Sequence, residues 1–267
     1  MADISQANYH LSVEAGSGFL FVMACNRQQR SCEDIEIIST EANTPLRFSS
    51  LLQKSPWLQS RPFSVSFSHC DLRSTLVPLE LFEPSQKEKY LSLNCEISPA
   101  DTTWHYTIHS IQSEIIFSID TQLKRDFEKT FPSIVFRHSS SLMIDYIQSF
   151  INAKPTFYIQ FYPGLMQLAV MENRRLLFFN SYTRKTPEDT IYYTLFVAEQ
   201  LKLQPKDVRI TLMGEVMPND DTHQMLNRYF GDVGFCAGPQ GITFGEKMKH
   251  HPQHRFIQLI NQFKCEL

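Results

Sequence analysis

The residues best suited to chemistry lie between Leu11 and Asn26, in the stretch LSVEAGSGFLFVMACN. A carboxylate, Glu14, is followed by Gly16 and Gly18. Glycines let backbone amides approach a phosphate closely, and a nearby carboxylate can orient Mg²⁺ and an attacking water molecule. The same residues are also typical of a β-hairpin whose glycines adopt positive φ. The stretch therefore predicts either a phosphate-binding loop or a plain hairpin, and we favour the hairpin.

Histidine and serine clusters offer three further candidate sites. His105 and His109 share one face of a predicted strand, which favours a solvated sheet face over a metal pair. Residues 247–254 hold three histidines with no cysteine or carboxylate at ligand spacing, as expected of an exposed loop. The run HSSS at residues 138–141 places a base beside hydroxyl groups, but it lacks the Gly-x-Ser-x-Gly turn of a nucleophile. We expect a serine of this run to cap the following helix.

Composition and charge exclude several classes of function. The chain has 267 residues, of which 42% are hydrophobic, and a formal net charge of −3. Because there is no basic surface signal, nucleic acid and anionic membrane are poor partners. No run of roughly 18 apolar residues occurs, and the first residues lack the pattern of a secretory signal, which predicts a cytoplasmic protein. The six cysteines form no CxxC pair, as expected of scattered reduced thiols.

The elements that position these residues are predicted from hydrophobic periodicity and turn signals. In the first part of the chain, strands are predicted at residues 10–15, 19–25, 33–39, 63–69, 75–77, 104–111, 114–119 and 133–138. Helices are predicted there at residues 48–58, 85–93, 120–130 and 140–151. The dipeptide Lys154-Pro155 marks a boundary, which divides the chain into domains 1–153 and 154–267.

The second domain opens, like the first, with three strands joined by tight turns. Strands are predicted at residues 157–161, 166–172, 176–180 and 208–213, and helices at residues 186–202, 221–230 and 254–262. The helix that follows Thr186 has the clearest signals. Thr186 can cap its free amides, Pro187 suits the first helical position, and Asp189 can complete a capping box.

An internal repeat organises the chain. When residues 11–28 are laid on residues 158–175 without a gap, an offset of 147, the turn Asn26-Arg27 falls on Asn173-Arg174. The apolar pairs that coincide are Phe19 with Met166, Phe21 with Leu168, and Met23 with Val170. The offset is about half the chain, as a duplicated α/β unit requires.

Two α/β domains that each open with such a three-stranded unit resemble the actin-like ATPase superfamily. That superfamily includes sugar kinases, heat-shock ATPases, a cell-division actin homologue and actin-like pilus-assembly and secretion proteins. The segments TLVPLELF at residues 75–82, LFFNSYTRKTPED at 177–189 and YYTLFVAEQ at 192–200 resemble more closely a bacterial family to which this fold is ascribed. The resemblance implies duplicated ribonuclease H-like α/β domains, each with a mixed sheet flanked by helices.

Superfamily members that hydrolyse ATP bind it with an Asp-x-Gly turn in each domain and a glycine pair near adenosine. By this resemblance Glu14 and Gly16, with Gly18, stand at the first turn. The offset of 147 places Phe161 and Pro163 opposite Glu14 and Gly16, so the second turn keeps Gly164 but no carboxylate. At the adenosine position only Gly214 remains. These five positions, Glu14, Gly16, Gly18, Gly164 and Gly214, are predicted to form a degenerate nucleotide cleft with no cofactor and no metal.

The resemblance and the missing carboxylate together predict a catalytically degenerate actin-like protein that serves as an interaction or scaffold module. The alternative is an ATP-binding ATPase or regulator that uses Mg²⁺ at an altered metal site. A kinase relative would need an acidic base, for which the sequence offers no candidate. Six rings could either fill the cleft or dock a partner, which we expect to be another protein; they are Phe157, Tyr158, Phe161, Tyr162, Phe178 and Phe179.

Overall fold

The computed structural model describes residues 8–42 and 44–267 and shows an α/β protein with two compact units. Unit 1 extends to Leu142 and takes in Pro239–His251 and Gln258–Leu267, and unit 2 comprises Met143–Gly238 and Pro252–Ile257. The division differs from the contiguous domains 1–153 and 154–267, because two carboxyl-terminal segments belong to unit 1. No helix in the described part of the chain is long and apolar enough to cross a membrane.

The described residues include fourteen strands and eight α-helices. The strands are β1 Tyr9–Gly16, β2 Phe19–Asn26, β3 Ser31–Ser39, β4 Ser64–Cys70, β5 Ser74–Pro78, β6 Asp101–Ile108, β7 Ser113–Asp120, β8 Val135–His138, β9 Thr156–Tyr162, β10 Leu165–Glu172, β11 Arg175–Thr183, β12 Arg209–Gly214, β13 Val233–Phe235 and β14 Thr243–Phe244. The helices are α1 Phe48–Lys54, α2 Pro56–Gln59, α3 Lys87–Ser92, α4 Thr121–Thr130, α5 Ser139–Ile147, α6 Pro187–Gln200, α7 Asp221–Tyr229 and α8 Ile257–Lys264.

The main sheet of unit 1 has the strand order β14-β3-β2-β1-β4-β8. Strand β2 pairs antiparallel with both β1 and β3, whereas β4 pairs parallel with both β1 and β8. Because side chains alternate along a strand, Leu11, Val13 and Ala15 face a core shared with α1, α2 and α4. His10 and Glu14 lie on the opposite face and are nevertheless buried. A smaller sheet of order β5-β7-β6 packs with α3 through Val77, Leu91 and Ile116.

Unit 2 contains one sheet of order β11-β10-β9-β12-β13. One face packs against α6 and α7 in a core that includes Phe157, Ile159 and Phe161. The other face packs against α5 through Tyr158 and Met171. The near-continuous apolar character of β9 and β10 follows from this burial on both faces.

Local signals account for most element boundaries. The capping box at Thr186 and Asp189 is confirmed, and Pro187 occupies the first turn of α6. The helix predicted at residues 48–58 is divided in two, because Ser55 ends α1 and its hydroxyl accepts from the Leu58 amide as the N-cap of α2. Strands β13 and β14 were not predicted, since three and two residues are too few to show a period.

The repeat is present in the topology, but its predicted register is wrong by one residue. The first turns are closed by the pairs Gly16 with Phe19 and Tyr162 with Leu165, which gives an offset of 146. A slip of one residue along a strand moves every side chain to the other face. The core residues of β2 are therefore Leu20, Val22 and Ala24, which match Met166, Leu168 and Val170.

Candidate functional site

The five residues predicted to form a nucleotide cleft lie at strand ends and turns of both units. Glu14, Gly16 and Gly18 belong to unit 1, at the end of β1 and in the turn that follows. Gly164 and Gly214 belong to unit 2, in the turn after β9 and at the end of β12. The surroundings of each group within its own unit show what these residues contact.

Glu14 is held in a buried polar chain. Its carboxylate is only 3% exposed and accepts a hydrogen bond from the Ser68 hydroxyl of β4 at 3.2 Å. Ser68 in turn accepts from Nε2 of Gln262 on α8 at 2.9 Å, and Oε1 of Gln262 accepts from Ser66 at 2.8 Å. The carboxylate is thus bonded by protein groups, which satisfy part of its hydrogen-bonding capacity.

The same series of hydrogen-bonded side chains extends from Ser66 to His10, near the start of β1. Its two ring nitrogens lie 2.9 Å and 3.0 Å from the hydroxyls of Ser64 and Ser66. Burial, with a smaller contribution from the Arg27 cation, lowers the pKa of His10 to about 3. The imidazole is therefore neutral at neutral pH and acts as a hydrogen-bonding member of the core.

The buried His10 predicts a loss of stability in acid. The unfolded histidine takes up a proton near pH 6.5, whereas the folded one does so only near pH 3, so stability falls as the pH is lowered through this window. The slope contributed is at most about 1.4 kcal/mol per pH unit. His10→Gln should flatten the dependence of urea unfolding on pH between these values. His250→Gln, at an exposed position, should leave it unchanged; equal slopes for both variants would contradict this assignment.

Gly16 and Gly18 are explained by different physical requirements. A Cβ at Gly16 would lie 2.5 Å from the Phe19 ring and 2.6 Å from the carbonyl oxygen of Cys70. Gly16 therefore allows close packing where β1, β2 and β4 meet. Gly18 has a φ of +88°, which the turn requires and which side chains other than glycine adopt rarely. Both glycines are accounted for by the hairpin.

In unit 2, the offset of 146 changes which residue corresponds to Glu14. Gln160 of β9, not Phe161, occupies the position of Glu14, and it is 2% exposed. Phe161 faces the core, where the Arg184 guanidinium lies 4.9 Å from its ring centre. The turn that matches Ser17-Gly18 is Pro163-Gly164, in which proline carries no amide hydrogen. With the offset of 146, as with 147, this turn has no carboxylate.

Gly164 and Gly214 both have positive φ, of +73° and +82°. Around Gly164 there is open space, so it serves only the turn. A Cβ at Gly214 would lie 2.1 Å from the Phe161 carbonyl oxygen and 2.4 Å from the Gln160 amide nitrogen. Gly214 therefore permits the close approach of the ends of β12 and β9.

A second polar cluster, centred on Asp71, was missed from the sequence. The Asp71 carboxylate lies 3.1 Å from Nε2 of His69 and 3.4 Å from Nε2 of His138, and it accepts from Nε of Arg73 at 2.7 Å. Arg73 also pairs with Asp101. The sequence signal that could have revealed this cluster is the position of two histidines near the ends of predicted strands. His69 and His138 are paired at the carboxyl ends of the parallel neighbours β4 and β8, which meet at one edge of the sheet.

The electrostatics of this cluster favour an anionic Asp71 beside a neutral His138. Burial alone would raise the pKa of Asp71, but His69 and His138 outweigh it and hold the pKa well below its usual value. Burial lowers the pKa of His138, against the opposing effect of Asp71. Nδ1 of His138 accepts from the backbone amide of Ser140 at 3.3 Å and lies 2.9 Å from its hydroxyl.

Ser140, His138 and Asp71 are the residue types of a serine–histidine–carboxylate triad, but a substrate has no access to the serine. Ser140 and His138 have no exposed surface, so a substrate does not reach the hydroxyl in this structure. The expected helix cap from this serine run is replaced by the His138 ring, which accepts from the Ser140 amide. The cluster therefore acts as a buried network that ties the ends of β4 and β8 together.

The remaining candidate groups are distributed over each unit. His105 of β6 lies 3.0 Å from Glu114, whereas His109 lies beyond the end of the strand. No group of three potential metal ligands occurs in the part of the chain that is described.

A pocket of about 460 Å³ lies in unit 1 at the amino ends of β4 and β8, where Arg61, Phe63 and Ile134 contribute to its wall.

The aromatic residues proposed for a cleft or a partner surface fall into two groups. Four rings of β9 are buried: Phe157, Tyr158, Phe161 and Tyr162. Phe178 and Phe179 of β11 are half-buried. Phe157, Tyr158 and Phe161 belong to the cores of unit 2.

Comparison with known proteins places these features in a family. A family model described as "Protein of unknown function (DUF3822)" matches residues 2–233. The chain belongs to this family. No curated protein matches this DUF3822 chain.

Solved structures identify the fold of this DUF3822 member. A protein from Bacteroides thetaiotaomicron with an actin-like ATPase fold and unknown function is 21% identical, with a TM-score of 0.78 over 98% of this chain and 99% of that one. A chain of the PilM-PilN type IV pilus biogenesis complex is 10% identical, with a TM-score of 0.55 over 96% of this chain and 98% of that one. The protein therefore has an actin-like ATPase fold with two α/β domains, as the sequence predicted.

Proposed function

We propose that this protein is a catalytically degenerate member of the actin-like fold that acts as an interaction or scaffold module. The observation that carries the proposal is the turn Pro163-Gly164, together with Gln160 at the position of Glu14. A phosphate-binding turn needs amide donors and a carboxylate that orients the metal ion. Proline removes one donor from this turn, and glutamine supplies no negative charge.

The first turn supports the same proposal. Glu14 is bonded to Ser68, and the space beside Gly16 is occupied by Phe19 and the Cys70 carbonyl. A metal ion at Glu14 would have to compete with the Ser68 hydrogen bond, and removal of a buried hydrogen-bonding partner is costly. The residues of the two turns therefore do not fit Mg·ATP.

The interaction role is supported by likeness of fold. One chain of the PilM-PilN type IV pilus biogenesis complex has a similar fold, and the name of that complex gives two proteins. We infer that this chain also binds a protein. It should copurify from its native host with one partner in stoichiometric amount, whether or not nucleotide is present.

Calorimetric titration with Mg·ATP tests the loss of nucleotide binding. We expect no binding tighter than about 1 mM, which corresponds to roughly 4 kcal/mol of binding free energy. Glu14→Gln keeps the shape of the side chain and removes its charge, and it should give the same null result. Micromolar binding by the natural chain that Glu14→Gln weakens would overturn the proposal and support an ATP-dependent regulator with an altered metal site.

A further inference from the structure

The outer edge of β11 has the features of an edge that accepts another strand. β11 is nine residues long, pairs with β10 alone among the described strands, and contains no proline and only one charged residue, Arg175. Natural sheets usually protect such an edge by shortening it or by placing charge or proline on it. The single irregularity, a bulge opposite Val170, lies near the start of β11 and leaves the rest regular.

Hydrogen bonding shows which backbone groups of β11 point outward. The Arg184 amide donates to the carbonyl of Gly164, toward β10, at 3.0 Å. Because strand residues alternate between the two edges, the amides and carbonyls of Phe179, Ser181 and Thr183 point away from β10. The Ser181 amide is bonded at 2.8 Å by the side chain of its neighbour Asn180, as expected of an amide without a partner strand.

The matching edge of unit 1 already has an added strand. β3 stands in that sheet where β11 stands in unit 2, and β14 pairs parallel with it. The Thr243 amide donates to the Arg30 carbonyl, and the Gly245 amide donates to the Cys32 carbonyl. The same strand of the repeated unit therefore accepts an extended segment in unit 1, whereas no described strand lies on β11.

Charge and aromatic surface define the segment that would fit β11. Both ends of the edge are basic: Arg174 and Arg175 at one end and Lys185 at the other are exposed and form no ion pair among the described residues. Tyr182 stacks on Tyr193 of α6 at 4.1 Å. The row of rings continues to Tyr192 and Phe196, which are 63% and 43% exposed. An apolar centre would pack beside these rings, and acidic flanks would pair with the basic ends.

We propose that β11 binds an extended segment of a partner protein as a sixth strand, with apolar residues at its centre and acidic residues on both sides. This inference rests on the proposed interaction function and names the surface that would carry it. Main-chain hydrogen bonds from residues 179, 181 and 183 supply the attachment, and the basic ends select the partner by charge.

A defined peptide tests the assignment. The probe is a synthetic segment of alternating valine and threonine flanked on both sides by two glutamates, and its control carries lysines in place of the glutamates. We expect the acidic peptide to bind the full chain about tenfold more tightly than the basic one, with a difference that shrinks at high salt. Equal affinity of the two peptides, or no binding of either, contradicts the proposal.

Two substitutions at one position separate strand addition from other modes of binding. Ser181→Pro removes an outward amide that no β10 group uses, and proline is tolerated on an edge whose amide faces solvent. It should weaken the acidic peptide about tenfold, whereas Ser181→Ala, which keeps the amide, should change affinity less than roughly twofold. Circular dichroism confirms folding of both variants.

The remaining outcomes are distinguishable. Binding that survives Ser181→Pro in the folded protein overturns the proposal, as does dimerisation of the free chain that Ser181→Pro abolishes, because β11 would then pair with a second copy. Failure of the peptide together with absent Mg·ATP binding places the interaction function on another surface. Tight Mg·ATP binding overturns the proposed function itself.

Discussion

Gly214→Ala should lower the free energy of unfolding of unit 2 by at least about 3 kcal/mol, one of the largest effects expected of a single methyl group. The residue has a φ of +82°, and the added carbon would lie 2.1 Å from the Phe161 carbonyl oxygen. Both neighbours belong to the ends of paired strands, so relief of the clash requires the backbone of β9 or β12 to move. The backbone strain at positive φ and the steric overlap therefore both lower the free energy of unfolding.

Gly164→Ala is the matched control. Its φ of +73° is similar, but no atom lies within contact distance of the added carbon. The expected cost is only the left-handed backbone penalty, about 1 kcal/mol. Hydrogen exchange of peptides from unit 2 is the suitable measurement, because both tryptophans of the chain, Trp57 and Trp104, lie in unit 1. Similar losses for the two variants would show that the close approach at Gly214 does not constrain the fold.

Asp71→Ala is expected to destabilise unit 1 by about 2–3 kcal/mol. The substitution removes the carboxylate that lies 3.4 Å from the buried Nε2 of His138, and it removes one carboxylate partner of Arg73. Part of the effect depends on pH. The lowered pKa of Asp71 means that its stabilisation is present above the ordinary carboxyl range and is lost as the pH falls through that range and below it.

The exposed pair of Lys154 and Asp232 provides the comparison for Asp71. Its atoms approach to 2.6 Å, but both side chains are more than 40% exposed. Asp232→Ala should therefore cost less than about 1 kcal/mol. Tryptophan fluorescence during urea unfolding reports the change in unit 1, and hydrogen exchange reports that in unit 2. A small effect of Asp71→Ala would mean that water enters and solvates His138.

The five predicted site residues fall into three groups according to what each contacts. Gly18 and Gly164 meet the needs of turns, and Gly16 and Gly214 meet the needs of close packing within their units. Glu14 alone retains a group with chemical capacity, and it lies in a polar chain that reaches Gln262. This division is the physical reason why we propose an interaction role and not ATP hydrolysis.

The amino-acid sequence by itself determined the order of most elements, the repeated opening of the two units and the capping of α6. These features depend on local patterns: alternation in β1 and β2, glycine at turns, and Thr186 with Pro187 and Asp189 at one helix start. Such signals lie within a few residues of one another, so no knowledge of distant contacts is needed.

Only the tertiary structure decided the register of the repeat and the partners of the polar residues. An offset of 147 and one of 146 both align apolar residues, because β2 and β10 are buried on both faces; pairing across the turns selects 146. Asp71, His138 and Ser140 meet because β4 and β8 are parallel neighbours across some 70 residues of chain. Strand pairing over that distance is set by the packing of the whole unit, which no local pattern in the sequence records.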